Sequence, residues 1–140
     1  MKTMQIMWYV SIFVLSTIVY SCSDDNDLDD AQPLVGQWVQ FERAYSIGGP
    51  LIFEDVDGDI VYEILSDKTF SRQSDQSVIG TWKTEMRESG DQSLPVVSFS
   101  YSFEGEDLQD DFVYEVEGNV LKLTPIPFCI EGCFNRFERM

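Results

Sequence analysis

Pro95-Val96-Val97-Ser98-Phe99-Ser100-Tyr101-Ser102-Phe103 is the stretch that decides the fold of this 140-residue chain. Val97, Phe99, Tyr101 and Phe103 share one side of an extended backbone, while Ser98, Ser100 and Ser102 share the other. Side chains alternate across a strand, so this period of two sets one face on a core and the other in water. No window of the chain offers a sustained helical apolar period. Short apolar or alternating runs broken by Gly, Asp, Asn and Pro recur instead, which predicts an antiparallel β domain.

Downstream of that stretch, Glu106-Asp107-Leu108-Gln109-Asp110-Asp111 reads as a solvated charge run between strands. Phe112 to Glu117 and Val120 to Thr124 flank Gly118-Asn119, a pair of hairpin type, and Phe134 to Arg139 forms the expected last strand. Upstream, Val78 to Thr84 is a strand, and Ile60 to Leu65 meets Thr69 to Arg72 across Ser66-Asp67-Lys68 as a hairpin. The first run is Leu34-Val35-Gly36-Gln37-Trp38-Val39-Gln40-Phe41, with Val39 and Phe41 alternating against Gln40 and Glu42 as on a half-buried strand. Ser46-Ile47-Gly48-Gly49-Pro50 then breaks it, because two glycines and a proline do not continue a ladder cheaply. The expected fold is all-β: about eight short strands closing a single antiparallel up-and-down β-barrel over residues 34–140. An interior of that size is filled by side chains or holds one small ligand. Closure also removes the exposed edges that invite aggregation.

The chain ahead of the barrel reads as an address. Lys2 precedes an apolar run from Ile6 to Tyr20, broken only by Ser11, Ser16 and Thr17. That run is shorter than the ~20 residues a membrane-spanning helix needs. With its basic flank and a small residue before the cut, residues 1–21 read as a secretory signal peptide. Val19-Tyr20-Ser21-Cys22 resembles a bacterial lipobox, with the branched aliphatic Val19 and the small Ser21 at their expected places before Cys22. The resemblance implies cleavage before Cys22, diacylation of its sulfur and acylation of its new amino group. Several acyl chains hold a protein on a membrane where one is marginal. Residues 22–33 carry five aspartates and almost no apolar mass, and are expected to be a solvated, self-repelling tether. Acidic residues directly after the acylated cysteine resemble the surface-export signal of some Gram-negative lipoproteins. The expected location is the outer membrane, at the cell surface, or otherwise facing the periplasm.

Charge and composition exclude whole classes of function. Without Lys2, eight Lys and Arg stand against 25 Asp and Glu, a net charge of −17. Such a field repels phosphates, so no nucleic-acid partner is expected, and it resists adsorption to anionic lipid. The chain has no histidine, which removes the commonest general base and the commonest transition-metal ligand. No enzyme and no cofactor are expected. Cys129 and Cys133, in Cys-Ile-Glu-Gly-Cys, are expected to pair in an oxidising envelope compartment, with a small gain because the loop is short. They lack the further ligands of a zinc site.

The barrel has its own resemblance. Leu34-Val35-Gly36-Gln37-Trp38 is similar to the Gly-x-Trp opening strand of lipocalin-like proteins. Ser66-Asp67-Lys68-Thr69-Phe70 and Gly80-Thr81-Trp82 resemble the hairpins of the small lipocalin-like lipoproteins, with Lys68 standing where that family usually has Gly. In lipocalins an arginine late in the chain packs over the opening Trp. The resemblance implies that role for Arg136 or Arg139, solvation at the end of the chain being the alternative for both.

Two constellations invite chemistry. Asp55, Asp57 and Asp59 stand at alternate positions, a spacing that suits Ca²⁺, but Ile60 and Ser66 occupy positions where an EF-hand loop needs Gly and Glu. Asp57-Gly58 is more simply a turn, and no metal site is expected. Trp38, Phe41, Tyr62, Phe70, Trp82, Phe99, Tyr101, Phe112 and Tyr114 are the candidate lining of a pocket for a small hydrophobic ligand. Packing the centre of a small barrel is the alternative. Two functions follow: a lipid-anchored barrel that binds a small hydrophobic molecule, or a non-catalytic structural or protein-interaction domain of the envelope with a solid core and an envelope protein partner.

Overall fold

The computed structural model describes residues 32–128 and 132–140. A 3₁₀ turn, Gln32–Leu34, leads into strands β1 (Gly36–Tyr45), β2 (Ile52–Asp55), β3 (Val61–Ile64), β4 (Thr69–Gln73), β5 (Val78–Ser89), β6 (Gln92–Phe103), β7 (Glu106–Glu117), β8 (Val120–Ile126) and β9 (Phe134–Arg139). Three two-residue turns join the long strands. Gly90-Asp91 and Gly118-Asn119 have positive φ only at the glycine, +62° and +59°, the pattern of type II′. Glu104-Gly105 has positive φ at both residues, +52° and +85°, as type I′ requires. These turns match the right-handed twist of the strands they connect, so each hairpin stays in register.

The solvated loop expected over Glu106–Asp111 is instead the first half of β7, paired with β6 from Phe103↔Glu106 to Ser98↔Asp111. Its charges do not oppose a strand, because Glu106 to Gln109 belong to a ladder at the barrel rim where both faces meet water, while Asp110 and Asp111 are half-buried and paired with Arg72 and Arg87. The same holds for Glu85–Ser89, which extends β5 past the expected end at Thr84 and pairs with β6 as far as Ser89↔Gln92. There β5 and β6 run on as a two-stranded ribbon: the β6–β7 ladder begins only at Val96↔Val113, just after Pro95, which has no N–H to give.

β2 and β3 both pair with β1, each strand from β3 on pairs with the next, and β9 returns to β1, so that eight strand positions close a barrel. The second position is shared by two short collinear strands. β3 pairs with β1 from Gly36↔Ile64 to Val39↔Val61, and β2 pairs with the same edge from Glu42↔Asp55 to Tyr45↔Ile52. Between them the chain bends out over Asp57–Asp59, held to β1 by Val56 N–H to the Phe41 carbonyl at 2.9 Å and Gly58 N–H to the Gln40 carbonyl at 3.1 Å. Residues 32 and 140 lie at one end of the barrel with the turns at 65–68, 90–91 and 118–119. The connections at 46–51, 74–77 and 104–105 lie at the far end, where β8 also ends at Ile126 and β9 starts at Phe134.

The core fills the ring from the entry end. Leu34, Trp38, Tyr62, Ile64, Phe70, Val78, Trp82, Val97, Phe99, Tyr114, Leu121, Leu123 and Phe137 form one buried cluster. Burying an aliphatic or Phe side chain contributes ~1.5–3 kcal/mol each, so this cluster is the main source of stability. The alternation expected of β1 is inverted. Trp38 and Gln40 point inward and are buried, whereas Val39 and Phe41 are half-buried on the outer side. Gln40 can face inward because its amide donates to the Asn135 side chain at 2.9 Å, and the bulge between Gln40 and Glu42 then turns Phe41 out. The outer face of β6 is also drier than its serines suggest. The Arg87–Asp111 ion pair at 3.2 Å reaches across β6, and Val96 and Ser98 beneath it are fully buried.

Candidate functional site

Six of the nine aromatic residues singled out as pocket lining are in the buried core: Trp38, Tyr62, Phe70, Trp82, Phe99 and Tyr114. They meet one another rather than a void. Tyr62 lies 5.0 Å from Phe99, 5.5 Å from Phe137 and 6.3 Å from Phe70, and Phe70 lies 4.7 Å from Phe99. Tilted and edge-on contacts at these centroid distances are the favoured aromatic geometries. The two tryptophans satisfy their indole N–H groups on backbone carbonyls at the entry end. Trp38 donates to the Leu34 carbonyl at 2.8 Å and Trp82 to the Leu65 carbonyl at 2.9 Å. Phe112, 6.1 Å from Phe99, and Tyr101, 6.4 Å from Phe70, continue the stack toward the far end and are half-buried. Phe41 is apart from all of these, on the outer wall.

At the entry end, Arg139 rather than Arg136 covers Trp38. Its guanidinium carbon sits 4.3 Å from the indole centre, and its Nη atoms donate to the Val35 and Pro33 carbonyls at 2.8 and 2.7 Å. Gly36, with φ +147°, leaves the space this requires: a Cβ there would lie 2.7 Å from Arg139 Nη1. The 3₁₀ turn, the indole and the guanidinium thus close this end. Arg136 instead donates to Glu42 at 2.9 Å on the outer wall and packs on Phe134.

At the far end an ion pair caps the aromatic stack. Arg72 Nη1 donates to Asp110 at 2.9 Å, the Tyr101 hydroxyl donates to the same carboxylate oxygen at 2.9 Å, and the guanidinium lies over the Tyr101 ring at 5.0 Å. Burial works against the Arg72 charge, but the hydrogen bonds it donates to Tyr62, Tyr101 and Asp110 outweigh it and hold its pKa above the ordinary arginine value. Burial also pushes the Tyr62 hydroxyl well up, against the pull of Arg72. A guanidinium, a carboxylate and a phenol so arranged satisfy one another's hydrogen bonds as a closed ion pair. The arrangement suits a latch over the core. Arg72 and Asp110 were not singled out by sequence reasoning, although a signal exists: continuing the inward parity of Phe70 and of Phe112 puts both on the apolar face.

The outer wall carries a shallow groove of about 290 Å³ lined by Phe41, Glu115, Glu117, Val120, Lys122 and Arg136. Lys122 pairs with Glu115 at 3.2 Å and, like Arg136, lies over Phe134, at 4.9 and 5.2 Å. The acidic segment resolves into parts of different kinds. Asp55 ends β2, Asp57 and Asp59 lie in the bend, and Gly58 adopts φ +70° there. Among the described residues, no group of three or more Asp, Glu, Cys or His is placed to hold a metal ion. The expected signal peptide over residues 1–21, Cys22, most of the expected tether and Cys129 lie outside the described residues, and so does the expected Cys129–Cys133 pairing. No protein-family model matches the chain, and neither a curated protein nor a solved structure matches it.

Proposed function

We propose that this chain is a lipid-anchored envelope lipoprotein whose lipocalin-like barrel is a solid, non-catalytic interaction domain. The observation that carries the reading is the ring stack of Tyr62, Phe70, Phe99 and Phe137, with centroids 4.7–6.3 Å apart in the middle of the barrel. A carrier of apolar ligands encloses a cavity of roughly 300 Å³ or more, whereas these rings occupy that space themselves. The latch of Arg72, Tyr101 and Asp110 at one end and the Arg139–Trp38 pair at the other agree with an interior that does not open. Acyl chains on Cys22 hold the protein at the outer membrane, and the acidic tether carries the domain clear of the headgroups toward the cell surface, or else toward the periplasm. A Cys129–Cys133 disulfide ties down the approach to β9. Contacts with an envelope protein partner are then made by the outer surface.

Native mass spectrometry of the protein taken from its own membrane tests this. The expected spectrum has acyl mass on Cys22 and no small hydrophobic molecule retained at stoichiometric amount. A retained ligand would establish the carrier function instead. Cys22→Ser is expected to move the folded protein to the soluble fraction, and persistence at the membrane would refute the anchor.

A further inference from the structure

Barrel closure leaves β2 out. Among the described residues it is bonded to β1 alone, at the end of the sheet order, while β4 closes on β3 and turns away at 74–77. Its second edge therefore faces outward at the far end, and an open edge presents backbone N–H and C=O groups to any extended chain. The side chains around it are apolar and in water: Ile47, Leu51, Ile52 and Phe53 are 81, 39, 38 and 57% exposed. Open edges are ordinarily blunted by charged side chains, Lys above all. The part of β5 that runs beyond β4 is treated that way, with Lys83, Glu85 and Arg87 joined in ion pairs. β2 itself carries no Lys or Arg: its charges are Glu54 and Asp55, with Asp57 and Asp59 in the bend that follows, and the neighbouring cation, Arg43 of β1, is held by Glu54 at 2.7 Å.

We infer that the free edge of β2 is a docking surface for an extended, cationic segment of a partner protein, which adds to it as a further strand. This rests on reading the barrel as an interaction domain. Main-chain bonds to Ile52–Asp55 supply the register, and alternate side chains of the incoming segment meet the Ile52 and Phe53 faces. Charge selects the occupant. A second copy of this chain would bring Glu54 and Asp55 against Glu54 and Asp55, and like charges facing across strands are destabilising. A segment alternating Lys or Arg with aliphatic residues meets both the apolar and the acidic features.

The test titrates a Lys-Val-Lys-Val-Lys-Val-Lys peptide into the full chain, with hydrogen exchange followed residue by residue. Saturable binding is expected, with slowed exchange confined to the amides around residues 51–55. The same peptide N-methylated at alternate residues keeps its charge but cannot form the ladder, and is expected to bind at least about tenfold more weakly. Asp55→Lys with Asp57→Lys should weaken the unmodified peptide by a similar factor while the far-ultraviolet spectrum stays unchanged. No binding, or equal binding of the two peptides, overturns the inference. Protection confined to the groove at Phe41 also overturns it and leaves the interaction-domain reading standing. A small ligand retained in native mass spectra fails that reading itself.

Discussion

The Arg139 guanidinium lies over the Trp38 indole, 4.3 Å from its centre, joining β9 to β1 where Trp38 and Arg139 are also register partners. The same side chain donates to two carbonyls of the segment leading into β1. Arg139 therefore closes the entry end of the barrel and fastens the preceding turn. Arg139→Ala is expected to cost about 2 kcal/mol in urea unfolding, from two carbonyl partners and one cation–π contact. Arg139→Lys should recover only part of this, because an ammonium does not present two parallel donors in a plane. Unchanged stability in the alanine variant would refute the latch.

Gly80 marks the closest approach of strands to the core. A Cβ there would meet the Ser100 carbonyl oxygen, with the Phe70 ring at 2.9 Å. Backbone has no rotamer to retreat into, so Gly80→Ala should destabilise by more than about 2 kcal/mol. Gly49 is the control: nothing lies within 4 Å of its Cβ position, and Gly49→Ala should stay within about 0.5 kcal/mol. Equal midpoints for the two variants would show that Phe70 and Ser100 give way.

Lys68 occupies the left-handed region, φ +68°, in the β3–β4 turn, and its ammonium lies 4.4 Å from the Trp82 ring centre. A glycine would relieve the backbone and lose the cation–π contact, two effects of about 1 kcal/mol that oppose each other. Lys68→Gly should therefore be nearly neutral in thermal unfolding. Lys68→Val combines a β-branched side chain with positive φ and is expected to lower the melting temperature clearly. A valine variant as stable as the parent would mean that the turn has another conformation.

Tyr62 governs the alkaline limit. Burial raises its folded pKa above the ordinary tyrosine value near 10. A group whose pKa is raised on folding contributes its stability in full below the unfolded value and loses it as pH climbs toward the folded one. Unfolding should set in above about pH 10, with Tyr62 ionising only as the barrel opens. Tyr62→Phe should shift the alkaline midpoint upward in a spectrophotometric titration. An unchanged midpoint would place the alkaline limit elsewhere.

Much of the fold is legible along the chain because strand pairing here is mostly local. The β3–β4 hairpin and the Gly118-Asn119 turn link strands that follow each other directly, so alternation and turn chemistry suffice. The failures have local causes too. Glu106–Asp111 reads as a loop because charge masks an alternation at the rim, and Glu104, a non-glycine at φ +52°, conceals the I′ turn before it. Of the nine candidate pocket residues, six are packed in the core, Tyr101 and Phe112 are half-buried toward the far end, and Phe41 lies on the outer wall.

Alternation, turn residues, the aromatic complement and the acidic balance were determined by the sequence alone, since each depends on neighbours in the chain and on elementary propensities. Tertiary structure decided what meets across it. Arg72 finds Asp110 at a separation of 38 residues, and Gln40 finds Asn135 at 95. Arg139, not Arg136, reaches Trp38 because Arg139 is its register partner, whereas Arg136 pairs with Glu42 beyond the bulge. Among the described residues, the same closure leaves β2 bonded to β1 alone. Such outcomes depend on register and barrel stagger, which one inserted residue changes for every side chain beyond it.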